Sequence, residues 1–273
     1  MSITPETIVS VSIPNDFPTV VQPTTSLKNA RIGFTNLLTT STTTEAKKML
    51  IPNTYERYRP TSGAKTIKFQ LASPAEVDFV GIAAHNAGTQ DAGVDILVQY
   101  ATTIGGALTT IENVEFVDNN AIMSLFAAVT IAEIAITFNA STLGLELGVI
   151  YAGKALEMLR PIFGGHSPID LSSVAQYQST TSESGQFLGR NINRQGLATD
   201  FSWQHLDDVW YRDNFQPFVE SAKRLPFFIK WRPDLYDVAA FGYTTSDIKP
   251  SNMGGGSKLM TVSISVKAHS DAS

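Results

Sequence analysis

The 273-residue chain contains no cysteine. That excludes disulfide staples, thiolate metal sites and a cysteine nucleophile. Charged residues are also scarce, at 16%, and sum to a net charge of −5. A balance of this sign supplies no basic footprint, which argues against electrostatic or sequence-specific binding of nucleic acid. It is too modest to mark an acidic tail or a disordered chain. No run reaches the roughly 20 uninterrupted apolar residues that a membrane helix needs. The most apolar window, Ala121 to Phe138, is broken by Thr130 and Glu133, and Asn139 follows it; it reads as two strands. The start, MSITPETIVSVSIPNDFP, has neither the charged nor the apolar region of a secretory signal. The expectation is a soluble protein without a membrane span, made in a reducing cytoplasm.

Catalytic signatures are missing as well. No GxSxG elbow, phosphate loop or GxGxxG is present, and Gly254-Gly255-Gly256 lacks the Lys and the following helix of a phosphate site, so it reads as a loop. His85, His166, His205 and His269 form no pair at metal-ligand spacing. His205, two and three residues before Asp207 and Asp208, is weighed as a ligand and read instead as structural or surface. Asp234, Asp237 and Asp247 supply carboxylates for a glycan-cleaving pair, but solvated turn residues account for them equally. The expectation is a protein that is not an enzyme and uses no cofactor or metal.

What is present is a series of short alternating segments. Ile67, Phe69 and Leu71 alternate with polar residues, as do Val94, Ile96, Val98 and Tyr100, and then Ile134, Ile136 and Phe138. VDFVGIAAH and Leu145 to Tyr151 are further strands, and turns of Gly, Asn, Ser and Thr separate them. Such spacing predicts an antiparallel β-sandwich. Residues 1–30, with Pro14, Pro18 and Pro23, read as an extended arm, and Gly165 to Glu183 as a polar linker over the surface. Gln186–Arg194 and Gly196–Gln204 are predicted as two strands, the second with Leu197, Thr199, Phe201 and Trp203 on one face. One helix is expected after Asp207 and Asp208, with Leu206, Val209 and Trp210 on one face and Phe215, Phe218, Val219 and Ala222 on another. Pro217 predicts a kink or two short helices near Phe215. Three strands close the chain: Phe227 to Trp231, Val238 to Thr245, and the alternating Leu259 to Val266.

PFFIKWRPDLY followed by FGYTTSDIKPSNMG resembles the C-terminal signature of minor tail proteins of long-tailed bacteriophages. NTYERYRP with GIAAHNAGT, and GKALEMLRPIFGGHSPI, match the same family in the same order. The segment NTYERYRPTSGAKTIKFQLASPAEVDFVGIAAHNAGT also resembles the discoidin (coagulation factor 5/8 type C), galactose-binding-like superfamily. The resemblances imply a mostly β protein with three parts. An arm over 1–30 precedes a galactose-binding-like jelly roll over 31–158. A β-sandwich with one amphipathic, Pro-kinked helix follows over 159–273, similar to tail-tube and distal-tail units. They imply a structural subunit of the virion, near the tail tip, forming a trimeric or hexameric ring and contacting other tail proteins. The alternative is a receptor- or glycan-binding protein. Its site would gather Tyr55, Tyr58, Arg59, His85 and Asn86 at one end of the jelly roll and meet a host surface glycan. The competing reading is that these five residues brace the sandwich. Trp231, Arg232 and Asp247 are candidate interface residues, with Arg232 alternatively pairing with Asp234 or Asp247 to hold a loop.

Overall fold

The computed structural model describes residues 28–60, 65–89, 95–115, 118–138, 144–254 and 258–270. Residues 1–27, most of the expected arm, lie outside the described residues, as do Val94, Asn139, Gly255 and Gly256.

The chain is mostly β, as the alternation predicts. Its strands are β1 (Arg31–Gly33), β2 (Leu38–Ser41), β3 (Lys65–Ala83), β4 (Asp95–Ala101), β5 (Thr109–Glu115), β6 (Ile122–Phe138) and β7 (Val149–Gly153). There follow β8 (Leu156–Glu157), β9 (Ser173–Thr181), β10 (Phe187–Asp207), β11 (Phe227–Lys230), β12 (Ala239–Thr244), β13 (Ser251–Asn252) and β14 (Leu259–Ala268). Among the described residues they form two antiparallel sheets. One is ordered β2-β3-β6-β4-β5 with β7 also on β3; the other is β8-β1-β11-β12-β14-β10-β9 with β13 on β14.

The first sheet folds over on itself because β3 and β6 are long and change partners along their length. The first half of β3 pairs with β2 and the end of β6, the second half with the start of β6 and with β7, and the ladder slips between Gln70 and Ala75. The resulting sandwich encloses Ile67, Phe69, Val80, Ile134 and Ile136. β6 is thus one strand where two were expected. Thr130 and Glu133, which read as interruptions, do not break it. Glu133 is buried but receives Lys68 Nζ at 2.8 Å and Gln70 Nε2 at 3.3 Å, so its charge is compensated in place. Desolvation raises its carboxyl pKa, but those two hydrogen bonds, the charge of Lys68 and a backbone hydrogen bond from Gly105 together outweigh it and leave the group below its ordinary value.

The second sheet lies back to back with the first through a seam of Phe79, Tyr151, Phe228 and Phe241. Alternation along β11 sends Phe228 into this seam and Phe227 and Ile229 to the opposite core; along β12, Phe241 and Ala240 divide the same way. Burial on both faces explains why VDFVGIAAH and GVIYAG are nearly continuous apolar runs. Gly81 makes the approach feasible: a Cβ there would stand 2.9 Å from the Phe228 ring. β1 and β8, at the two ends of the segment expected to form the jelly roll, pair with each other, and β1 also pairs with β11 in the second sheet.

The far face of the second sheet is covered by the predicted helix. Asp207 caps it, its carboxylate accepting from Val209 N and Trp210 N, both at 3.0 Å. The helix opens as α1 (Asp208–Trp210), widens into a π turn at Tyr211–Phe215, and resumes as α2 (Gln216–Ala222). The wide turn is the kink expected of Pro217, which has no N–H to give. The side chain of Asn214 donates to Trp210 O at 3.1 Å. Phe215, Phe218, Val219 and Ala222 are buried against Phe201, Trp203 and Val262. Val209 departs from its predicted face and is exposed, because it sits in the single α turn before the widening.

Two further expectations are corrected. Gln186–Arg194 and Gly196–Gln204 are one strand, β10, and about half of the supposed linker from Gly165 to Glu183 is its partner β9. β10 pairs with β14 only from Leu197 onward, so residues 174–195 form a two-stranded ribbon beyond the edge of the body. A ribbon bare on both faces has no inside, and so shows no alternation to read.

Candidate functional site

The five residues proposed for a glycan site fall into two groups. Tyr58 is buried; its backbone bridges Leu147 through N–H···O at 2.7 Å and the reciprocal bond at 3.0 Å. Burial, helped by the charge of Glu45, raises its phenol pKa and keeps it neutral. His85 is fully buried. Ala87 N donates to its Nδ1 at 3.4 Å, so Nε2 carries the hydrogen and donates to Asn120 O at 2.7 Å. Asn86 clamps the loop before Leu147, donating to Gly144 O at 2.8 Å and accepting from Glu146 N at 2.7 Å. The Tyr58 backbone and the Asn86 side chain thus both fix the loop of Gly144 to Leu147, while His85 ties its own strand end to Asn120.

Tyr55 and Arg59 stand outside on that frame. Asn53 Oδ1 accepts from Tyr55 N at 3.2 Å and Glu56 N at 2.8 Å, an Asx turn that throws Tyr55 into solvent at 93% exposure. Arg59 is ion-paired to Glu146 Oε1, Nε at 2.8 Å and Nη2 at 2.7 Å, and Arg57 Nη1 reaches Glu146 Oε2 at 3.3 Å. An open cleft of about 530 Å³ results, lined by Tyr55, Arg57, Arg59, Glu146, Lys48 and Glu45. Three cations there face two carboxylates. Arg57 and Glu146 were not among the predicted residues; Glu146 is distant in sequence from both arginines, and no local pattern points to it.

The proposed interface residues do not gather. Trp231 stacks on Tyr236, ring centroids 5.2 Å apart at 18°, and meets His166 edge-on at 5.1 Å. Arg232 pairs with Asp234 at 2.7 Å, the nearer of the two aspartates considered, while Asp247 lies elsewhere beside Lys249 at 3.6 Å. Asp237 is held by Lys230. His205 occupies the bulge of β10 with φ of 58°, its carbonyl accepting from Arg160 Nε at 3.0 Å. Among the described residues no three His, Asp or Glu side chains are grouped to hold a metal, and no helix is long and apolar enough to cross a membrane.

A different feature was not anticipated. The projecting ribbon of β9 and β10 carries Val174, Tyr177, Phe187, Leu188 and Ile192, all between 49% and 66% exposed. Tyr177 and Ile192 are directly opposite across the ladder, and the Arg190 guanidinium lies 3.4 Å from the centroid of the Tyr177 ring.

No protein-family model matches the chain, and no curated protein matches it. Among solved structures it is similar to chitosan-binding module 1 of a chitosanase/glucanase from Paenibacillus sp. IK-5, at 16% identity over 45% of this chain and 98% of that one, TM-score 0.37. A pectin-binding carbohydrate-binding module is similar at 13% identity over 44% and 93%, TM-score 0.37. CpGH89CBM32-5 from Clostridium perfringens, in complex with GalNAc-β-1,3-galactose, is similar at 9% identity over 47% and 97%, TM-score 0.36. Each covers less than half of this chain, at an identity that defines neither ligand nor site.

Proposed function

We propose that this chain is a self-associating structural subunit, and that its place is the distal end of a bacteriophage tail, assembled from protein made in the host cytoplasm. The observation that supports self-association is the ribbon of residues 174–195. An isolated two-stranded ribbon is marginal in water, and one that holds five large apolar side chains out to solvent has the composition of an interface core. β9, SVAQYQSTT, is an open edge strand without a charged residue, so nothing on it opposes pairing with another strand. A second copy of the chain supplies such an edge. The tail assignment rests on the resemblance of PFFIKWRPDLY, FGYTTSDIKPSNMG and the two motifs upstream to tail proteins. Light scattering of the full chain across a concentration series tests association. The expected result is a discrete trimer or hexamer that Tyr177→Glu with Ile192→Glu converts to a folded monomer with unchanged far-UV dichroism, because the ribbon is outside the body. A monomer at every concentration removes this reading.

One observation favours a second reading, glycan recognition. Tyr55 offers a free aromatic face beside the donors of Arg57 and Arg59 and the acceptors of Glu146, the groups that stack on a sugar ring and bond its hydroxyls. Glycan-array binding that Tyr55→Ala or Arg59→Ala abolishes supports it, and an array without binding removes it. We propose no hydrolytic role for Asp234 or Asp237, since Arg232 and Lys230 take up their carboxylates.

A further inference from the structure

We propose that the groove between the two units is a track for an acidic polysaccharide bearing carboxylates. It is separate from the Arg57–Arg59–Glu146 cleft and shares only the Thr54–Tyr55 wall with it. The groove has a volume of about 840 Å³ and runs from Tyr55 across the ends of β12 and β14 to the base of the ribbon. Its lining includes Lys223, Arg224, Lys267 and His269 with the exposed rings of Tyr55 and Tyr243, and no Asp or Glu lines it. In a chain of net charge −5 this is a local inversion of sign. Glu220 takes up Lys223 at 2.7 Å. Arg224 and Lys267 are exposed and have no carboxylate partner among the described residues. The position of Arg224, just past α2, also complements a helix C-terminus, but Lys267 lies on a strand where that explanation does not apply. Tyr243 is directly opposite Lys267 on the neighbouring strand and 55% exposed, so an aromatic face and an ammonium stand side by side. Tyr55 faces the groove from the other wall.

Charge complementarity selects an anion, and the two tyrosines select a ligand with ring faces. The low number of cations selects a polymer of low charge density. Duplex DNA carries one charge per roughly 1.7 Å of axis and calls for many more phosphate contacts than Arg224 and Lys267 supply. A uronic-acid chain, with one carboxylate per sugar, matches two or three cations spread along a groove. The Lys and Arg side chains would pair with carboxylates while sugar faces lie on Tyr243 and Tyr55.

The test is native electrophoresis of the full chain in gels containing polygalacturonate, its neutral methyl ester, or single-stranded DNA. Polygalacturonate is expected to retard the protein and the methyl ester is not. Arg224→Gln with Lys267→Gln is expected to weaken retardation about tenfold, the scale of losing one or two charge-assisted contacts. Added salt is expected to weaken the wild type more than the double variant. Tyr243→Ala, an exposed position, gives a second reading of the same groove through stacking. The proposal is overturned by equal retardation in the methyl ester, by wild-type behaviour of the double variant, or by tighter binding to DNA. A protein that binds neutral glycans through the Tyr55 cleft yet ignores polygalacturonate overturns the groove alone.

Discussion

Phe228→Ala removes the ring at the centre of the seam between the sheets. Phe228 is fully buried, with Tyr151 edge-on at 5.5 Å and Phe241 at 4.7 Å between ring centroids. Truncating a buried phenylalanine costs about 3–5 kcal/mol. The two ring contacts place this one toward the upper end, at about 4–5 kcal/mol, since each aromatic pair adds about 1 kcal/mol beyond area burial. Gly81 stands against the ring from the other sheet and has no side chain with which to fill the gap. At about 2–4 °C per kcal/mol for a protein of this size, Tm falls by about 8–20 °C. The assay follows urea and thermal unfolding by two probes. Trp203, Trp210 and Trp231 all lie in the C-terminal half, so fluorescence reports that half alone while far-UV circular dichroism reports both sheets. Because the seam belongs to both units, the two transitions are expected to move down together. Phe228→Leu, which keeps most of the volume, is expected to retain most of the stability. A loss below about 1 kcal/mol, outside the range for a buried phenylalanine, or a shift in fluorescence with dichroism unchanged, refutes a shared seam.

Gly242→Ala is expected to destabilise by about 3 kcal/mol, the upper end of the usual overpacking range, and to lower soluble yield. A Cβ there would meet the Lys267 carbonyl at 2.4 Å, and backbone paired in a ladder cannot step aside. Burial pushes the Tyr151 phenol up to about 12. Its folded pKa exceeds the unfolded value near 10, so the folded state holds the proton more tightly and stability is fully present below pH 10. That stability is lost as pH rises through 12, by about 2–3 kcal/mol. Denaturant titrations across that window are expected to show the slope in the wild type and a flatter one in Tyr151→Phe. Asp207→Ala removes the acceptor for Val209 N and Trp210 N and is expected to cost about 1 kcal/mol, read as a lower urea midpoint at unchanged slope.

The features legible in the chain are those that one element states by itself. β14 alternates Val262, Ile264 and Val266 inward because one of its faces is core and the other is not. Asp207 announces a helix start and Pro217 a disturbance within it, since capping and a missing N–H act over a single turn. Tyr55, Arg59 and Asn86 stood out by residue type in a turn-rich stretch. Tertiary structure alone decided which of them face solvent. His85 is buried and held by Asn120, and Tyr58 is sealed where the loop of Gly144 to Leu147 returns to bridge it, a return that joins residues far apart in sequence. The same return brings Glu146 to Arg57 and Arg59, an encounter no local periodicity can encode. Whether VDFVGIAAH is covered on one face or two depends on a second sheet more than a hundred residues later, and an apolar run looks alike in either case. β9 lies in a stretch whose sequence reads as linker because both of its faces are bare, whereas its partner β10 is legible as strand, most clearly where Leu197 to Trp203 alternate against the core. The strands and the helix are local chemistry and were written in the chain; the seam, the cleft and the bare ribbon arise from which faces meet.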